Sequence, residues 1–199
     1  MQKFTSALVV GLMIMGLFLC GFPAASLAQA AAPKAAPKPA LAPSEEILAA
    51  WNDLGRRLVD MAEDFPEDKY DFKTTPAQRT FAENLLHVAS DFSRELSAIR
   101  GAKVGPKVDQ FKDLARQDYK TKAEVVKVLK QLVADGAAII KAQGDAGLNK
   151  ESANPYDGSM QHVWYAWTGT VEHAGEHYGQ LVVYYRVAGL VPPESRPKK

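Results

Sequence analysis

The chain of 199 residues has little of what usually staples or charges a small protein. It carries one cysteine, Cys20, which excludes an intrachain disulfide framework, a CxxC zinc motif and a CxxCH haem motif. Neither charge dominates: 24 Lys and Arg stand against 23 Asp and Glu, a formal +1. A protein that binds nucleic acid mainly through its field needs a basic excess or stripe, so nucleic acid is not an expected partner. No stretch alternates with period two and no hairpin turn pair stands out, so strands are not expected. Histidine is scarce enough, at four residues, for each one to be weighed singly. What is plentiful is ordinary: 47% hydrophobic residues suits a globular protein and is too much for a disordered one.

The N-terminus reads as an address. Lys3 precedes an uncharged apolar run from Ala7 to Phe22, broken by Pro23. Ser26-Leu27-Ala28 and Ala28-Gln29-Ala30 both have the small-x-small pattern of a cleavage site. A basic start, an apolar segment and such a site describe a secretory signal peptide over residues 1–30, cleaved near Ala28 or Ala30. Bulky Leu19 before Cys20 disfavours lipoprotein processing. The competing reading is an uncleaved anchor, the one way in which a membrane enters the picture. The expected location is therefore periplasmic or secreted. Residues 31–43 repeat Ala, Pro and Lys, a composition that favours an extended linker. Residues 194–199 read as an unstructured tail. The folded unit is then 44–193. With the basic ends removed it holds 18 basic and 22 acidic residues, so near-neutrality hides a mildly acidic domain.

Four segments have helical periodicity. Ser44–Ala62 places Leu48, Trp51, Leu54, Leu58 and Met61 on one face, with Ser44 as the expected cap. The second segment is expected to start at Thr75-Pro76, with Gln78 closing a capping box, and to stop at Gly101. The third starts at Thr121 with Glu124 in the box position and ends at Gly144. The fourth runs from about Ser159 to Val187 and is rich in aromatic residues. A short helix is expected around Gln110–Arg116. The class is all-α, a four-helix bundle.

His173 and His177 are four apart, which on a helix puts them on one face with β-carbons about 5–6 Å apart. Two imidazoles so placed can share one transition metal. The zincin motif HExxH is absent, because position 174 is Ala. Glu172 and Glu176 point about 100° away round the helix and read as surface carboxylates. His162 shares the face but sits about 16 Å away by helical rise, too far to join the same ion. His87 belongs to the second helix, on a face with Thr80, Asn84, Asp91 and Arg94. Two readings of it stand: an exposed histidine on a polar face, which periodicity favours, or a ligand lining a wet cleft with Asp91 orienting its ring.

The segment from Val171 to Pro193 contains H-x-x-x-H-x-x-Q-L (His173, His177, Gln180, Leu181) and R-x-x-G-x-x-P-P (Arg186, Gly189, Pro192, Pro193). It resembles the C-terminal helix of the DinB-like (YfiT-like) family. Arg79–Ala89, with His87 before a small apolar pair, resembles that family's second helix, and Trp51-Asn52-Asp53-Leu54 also fits its first. The resemblance implies a four-helix bundle that holds a divalent transition metal, zinc or nickel, through His87, His173 and His177. It reverses the exposed reading of His87 and puts Gln180 beside the ligands. It also implies a homodimer and an unidentified small-molecule substrate, with thiol-dependent transfer or metal-dependent hydrolysis as the activity.

Three imidazoles leave a position open for water or substrate. A general base is not evident; Glu83, Asp91 or Glu176 serves only if the fold brings it close. Export sets this chain apart from relatives that depend on small intracellular thiols. The alternative is a non-catalytic exported bundle with a structural metal or none, acting as a binding module. A b-type haem site is a third, weaker reading.

Overall fold

The computed structural model describes residues 38–197. The expected signal peptide and residues 31–37 of the linker lie outside the described residues. Four helices account for most of what is described: α1 (Pro43–Asp64), α2 (Phe81–Arg100), α3 (Lys122–Leu148) and α4 (Val163–Val187). Among the described residues no helix is long and apolar enough to cross a membrane.

Around the bundle, α1 packs on α3 and α4, and α2 packs on the same two, so α1 and α2 lie on a diagonal. Paired residues fix the directions. Ser44 reaches Asp145 and Glu63 reaches Lys130, so α1 and α3 are antiparallel. Asn84 reaches Gln180 and Asp91 reaches His173, so α2 and α4 are also antiparallel.

The core is aromatic. Phe65 stacks on Phe81 at 3.8 Å between ring centres, and Trp51 meets Phe92 at 4.6 Å and Trp167 at 5.3 Å. The Trp51 indole N–H donates to the Val133 carbonyl at 2.8 Å, which satisfies the one polar atom of a ring that is otherwise sealed. This ring lies so close to α3 that a β-carbon at Gly136 would sit 2.2 Å from Trp51 Cζ2. Glycine is required there by space.

Several local details differ from what the sequence suggests. α2 begins at Phe81 and not at Thr75, and its capping box is Thr80 with Glu83. The reason is tertiary: the Phe81 and Ala82 N–H groups, orphans at a helix start, donate to Phe72 and Tyr70 of the preceding loop at 3.0 and 2.9 Å. Thr75–Gln78 closes only a single turn. The α1 cap is Ala42, whose N–H is held by Glu45, while Ser44 donates its own N–H to Asp145. Gly144 kinks α3 through φ 54° without ending it. Gln110–Arg116 holds no α-helix; a single bridge joins Asp109 to Lys112 and a 3-10 turn follows at Arg116–Asp118.

Among the described residues there is also an unexpected hairpin. β1 (Glu151–Ala153) pairs antiparallel with β2 (Met160–His162), with Ser152 opposite Gln161. It takes the residues read as the start of the fourth helix, so α4 begins at Val163. Strands of three residues are too short to register as a period. At the other end, where an unstructured tail is expected, Pro193–Ser195 forms a 3-10 turn and Arg196 pairs with Asp64 at 2.5 Å.

Candidate metal centre

The α2–α4 seam carries the site. Antiparallel pairing sets His87 of α2 against His173 and His177 of α4, and one ligand atom from each lies within 4.8 Å of the others. The ring centres are 4.5 Å apart for His87 and His177, 4.6 Å for His173 and His177, and 5.5 Å for His87 and His173. His177 is buried and the other two are half-buried. The exposed reading of His87 is therefore wrong: its side chain is 16% accessible. The polar arc on α2 does not face solvent, because α4 presents polar partners to it.

Each ring is held by neighbours. His177 Nδ1 contacts the Asn84 carboxamide oxygen at 2.8 Å, and Asn84 in turn donates to Gln180 at 3.2 Å. His87 Nδ1 contacts Asp113 at 2.9 Å. One oxygen of Asp91 lies 3.2 Å from His87 Nε2 and 2.9 Å from His173 Nε2. The other accepts from Arg94 and from the Tyr156 hydroxyl, both at 2.7 Å. Arg94 is itself buried and also donates to the carbonyls of Asp109 and Lys112. The loop between α2 and α3 is thereby tied to the site.

The electrostatics suit a cation. Burial pushes the Asp91 carboxyl up, but the His173 and Tyr156 hydrogen bonds and the nearby His87 outweigh it and hold Asp91 below the usual carboxylate range. Asp113 is likewise lowered, burial being outweighed by its bond to His87 and the positive groups around it. The bond to Asp91 raises His173. His177 is pushed down to about 4, first by burial and then by His87 and His173, so it is a neutral imidazole at pH 7. Neutral imidazole is the metal-binding form, and a ring whose second nitrogen is anchored is a preset ligand. The donor set thus fits one transition ion. Asp91 and Asp113 add two carboxylates around it.

A family model described as the DinB superfamily matches residues 27–181. The chain belongs to the DinB superfamily. The matched range holds all three histidines, begins ahead of the boundary read at residue 44, and stops short of the Arg186–Pro193 motif. The chain is similar in fold to a DinB-like protein from Bacillus cereus ATCC 10987. That crystal structure aligns with a TM-score of 0.63 and 16% identity, over 75% of this chain and 95% of the other. Among curated proteins none matches.

Most of the other candidates from sequence lie outside this histidine cluster. His162 is exposed at the end of β2, against Trp164. Glu172 is exposed. Glu176 is 59% accessible, with an oxygen 3.5 Å from His173 Nδ1. Glu83 is occupied as the partner of the Thr80 N–H at 2.6 Å. Of the three bases considered, Asp91 is the one in contact with two of the histidines. Sequence reasoning missed Asp113, Tyr156 and the clamp by Asn84. Asn84 had a signal, three residues before His87 on one helical face. The other two come from loops, where spacing carries no information.

A pocket of about 190 Å³ adjoins the triad, lined by Asp91, Glu95, Tyr156, Gln161 and His173 among others. It is smaller than the roughly 300–1,000 Å³ of drug-sized sites, so it suits a small ligand. A larger hollow of about 670 Å³ lies on the α1–α3 side, lined by Glu67, Lys122 and Lys130 and by none of the three histidines. Size does not outweigh chemistry, and the smaller pocket is the candidate.

Proposed function

We propose that this DinB-superfamily protein is an exported metalloenzyme that holds one divalent transition ion, zinc or nickel, on His87, His173 and His177. The observation that carries the reading is the convergence of three imidazoles, one of which, His173, lines a pocket. A bound ion of this kind polarises a substrate oxygen or lowers the pKa of water. The chain's own residues do the rest. Asn84 and Asp113 orient His177 and His87. Asp91 is the general base, held by Arg94 and Tyr156 on the oxygen that the histidines leave free. Hydrolysis is the favoured reaction class. An exported chain works away from the small thiols of the cell interior, which a thiol-dependent transferase needs. The export reading rests on the signal-like residues 1–30.

A second reading has its own support. Asp91 already lies against two Nε2 atoms, and a carboxylate as fourth ligand would close the site as structural zinc sites are closed. X-ray absorption on the metal-loaded protein separates the two: three nitrogens plus a water-exchangeable ligand support the enzyme, and three nitrogens plus a protein carboxylate support the structural site.

The primary test is metal analysis of purified protein. We expect about one equivalent of metal in the wild type and almost none in His87→Ala and His173→Ala variants. No stoichiometric metal, with both variants behaving as wild type, would end the metal-site reading. N-terminal sequencing of exported protein should give a start near residue 29 or 31, and a start at Met1 contradicts cleavage.

A further inference from the structure

The loop that follows α2 carries two exposed lysines, Lys103 and Lys107, whose side chains pair with no carboxylate among the described residues. Both line a hollow of about 540 Å³ together with Arg94 and Gln110. No acidic side chain among the described residues lines it. The carboxylate next along the loop, Asp109, accepts from the Phe111 N–H at 3.2 Å. Arg94 is already engaged by Asp91 and by two backbone carbonyls. The two lysines therefore leave uncompensated positive charge in a domain that has more acidic than basic residues.

The backbone beneath these lysines is fixed. The Ser93 hydroxyl lies 2.8 Å from the carbonyls of both Val104 and Pro106, and the Val104 N–H donates to Ser97 Oγ at 2.9 Å. Val104 is buried, and Gly105 sits so close to α3 that a β-carbon there would lie 2.6 Å from Leu132 Cδ2. The segment between the two lysines is thus pinned to α2 and α3, so little backbone has to be ordered on binding.

We infer that this hollow binds a phosphate monoester as its dianion, held by the Lys103 and Lys107 ammonium groups. Two ammonium charges with no carboxylate between them match a dianion, and a monoanion leaves one of them over. Ammonium groups are compact point charges that suit phosphate oxygens. The volume exceeds that of phosphate alone and falls within the roughly 300–1,000 Å³ of sites for small organic ligands. Pro106, Val108 and Pro155 give the organic part of the ester an apolar wall. The site adjoins the candidate metal centre without using its ligands. Arg94 lines the hollow and bonds Asp91, and Pro155 precedes Tyr156, which lines the pocket beside His173. The inference stands whether or not the triad holds a metal.

The test is calorimetric titration of purified metal-loaded protein at about pH 7.5, where a phosphate monoester with a second pKa of about 6 is a dianion. The probes are phenyl phosphate, inorganic phosphate and benzenesulfonate. We expect saturable binding of phenyl phosphate, weaker binding of inorganic phosphate, and binding of the benzenesulfonate monoanion about tenfold weaker or absent. Lys103→Gln and Lys107→Gln should each weaken phenyl phosphate binding about tenfold, and the double variant should abolish it. Bound metal and melting temperature should not change, since both side chains are exposed and unpaired. Chelator-treated protein should bind phenyl phosphate as the metal-loaded protein does. Binding that vanishes with the metal and survives in the lysine double variant puts the phosphate on the histidines' ion and overturns the inference. Equal affinity for benzenesulfonate overturns it too, as does no response to phenyl phosphate. Lysine-dependent binding confined to vesicles of phosphatidic acid in phosphatidylcholine also overturns it, because the ester is then a lipid headgroup and not a soluble ligand in the hollow.

Discussion

The α1–α3 and α2–α4 seams are both antiparallel helix pairs, yet they are packed by opposite means. In the first, Trp51 lies against Gly136 and Val133 against Gly55, each too close for a β-carbon on the glycine. Its ion pair, Glu63 with Lys130, is an exposed one. In the second, Asn84 bonds to Gln180 and His177, Asp91 bonds to His173, and the His87 ring lies edge-on to that of His177. Apolar contact is non-directional and tolerates small shifts, so it suits the seam that sets the bundle. A polar seam is costly unless every group finds a partner, and once satisfied it specifies one arrangement. The bundle thus divides its work: one side holds the helices together and the other holds six side chains in register.

That division can be broken most severely at Gly136. Gly136→Ala places a methyl group 2.2 Å from Trp51 Cζ2 and should lower stability by about 3 kcal/mol in urea unfolding, even though alanine favours the helix. The folded fraction should still bind metal. A variant as stable as wild type would mean that the seam is looser than described.

Acid probes the other seam. In chelator-treated protein His177 takes up its proton only at about 4, against 6.5 when unfolded. The unfolded chain therefore binds more protons between those values, and stability falls as pH drops through that window. The His177 contribution is complete above about pH 6.5 and its loss is worth up to about 3 kcal/mol. His173 has the opposite sign: its raised value adds stability below 6.5 that fades as pH rises through the folded value. The Glu95 carboxyl, pushed up to about 7 by burial and the nearby Asp91, works in the opposite sense over the same window. The slope of stability from unfolding measured between pH 4.5 and 6.5 should therefore turn negative in His177→Gln, while His173→Gln should change the profile only above pH 6.5. An unchanged slope in His177→Gln would show that this ring is not held neutral by the seam.

The smallest effect sharpens the contrast. Asn84→Ala removes the acceptor on His177 and should weaken metal affinity about 10- to 100-fold in a chelator competition, with the global fold retained. Unaltered affinity would show that Asn84 packs the seam without positioning the ligand.

The four helices and the Thr121–Glu124 cap were legible along the chain, because amphipathic spacing and capping chemistry are local. The His173–His177 pair was legible for the same reason, being one turn of one helix. The short hairpin and the start of α2 were not: three-residue strands have no period, and Thr80 became a cap because Tyr70 and Phe72 accept from the turn that follows.

His87 shows the limit most clearly. Its periodicity assigned it to a polar arc, correctly, and polarity alone suggested water. Resemblance to a family supplied the ligand role that spacing did not. By itself the sequence determined that there are four main helices, which of their faces are apolar and which histidines share a turn, since these depend on neighbours within a few residues. Only the tertiary structure decided that the polar arc of α2 meets the polar arc of α4, with Asp113 and Tyr156 brought in from loops. Those contacts join residues from 26 to 96 positions apart, and no local rule of spacing reaches across such a separation.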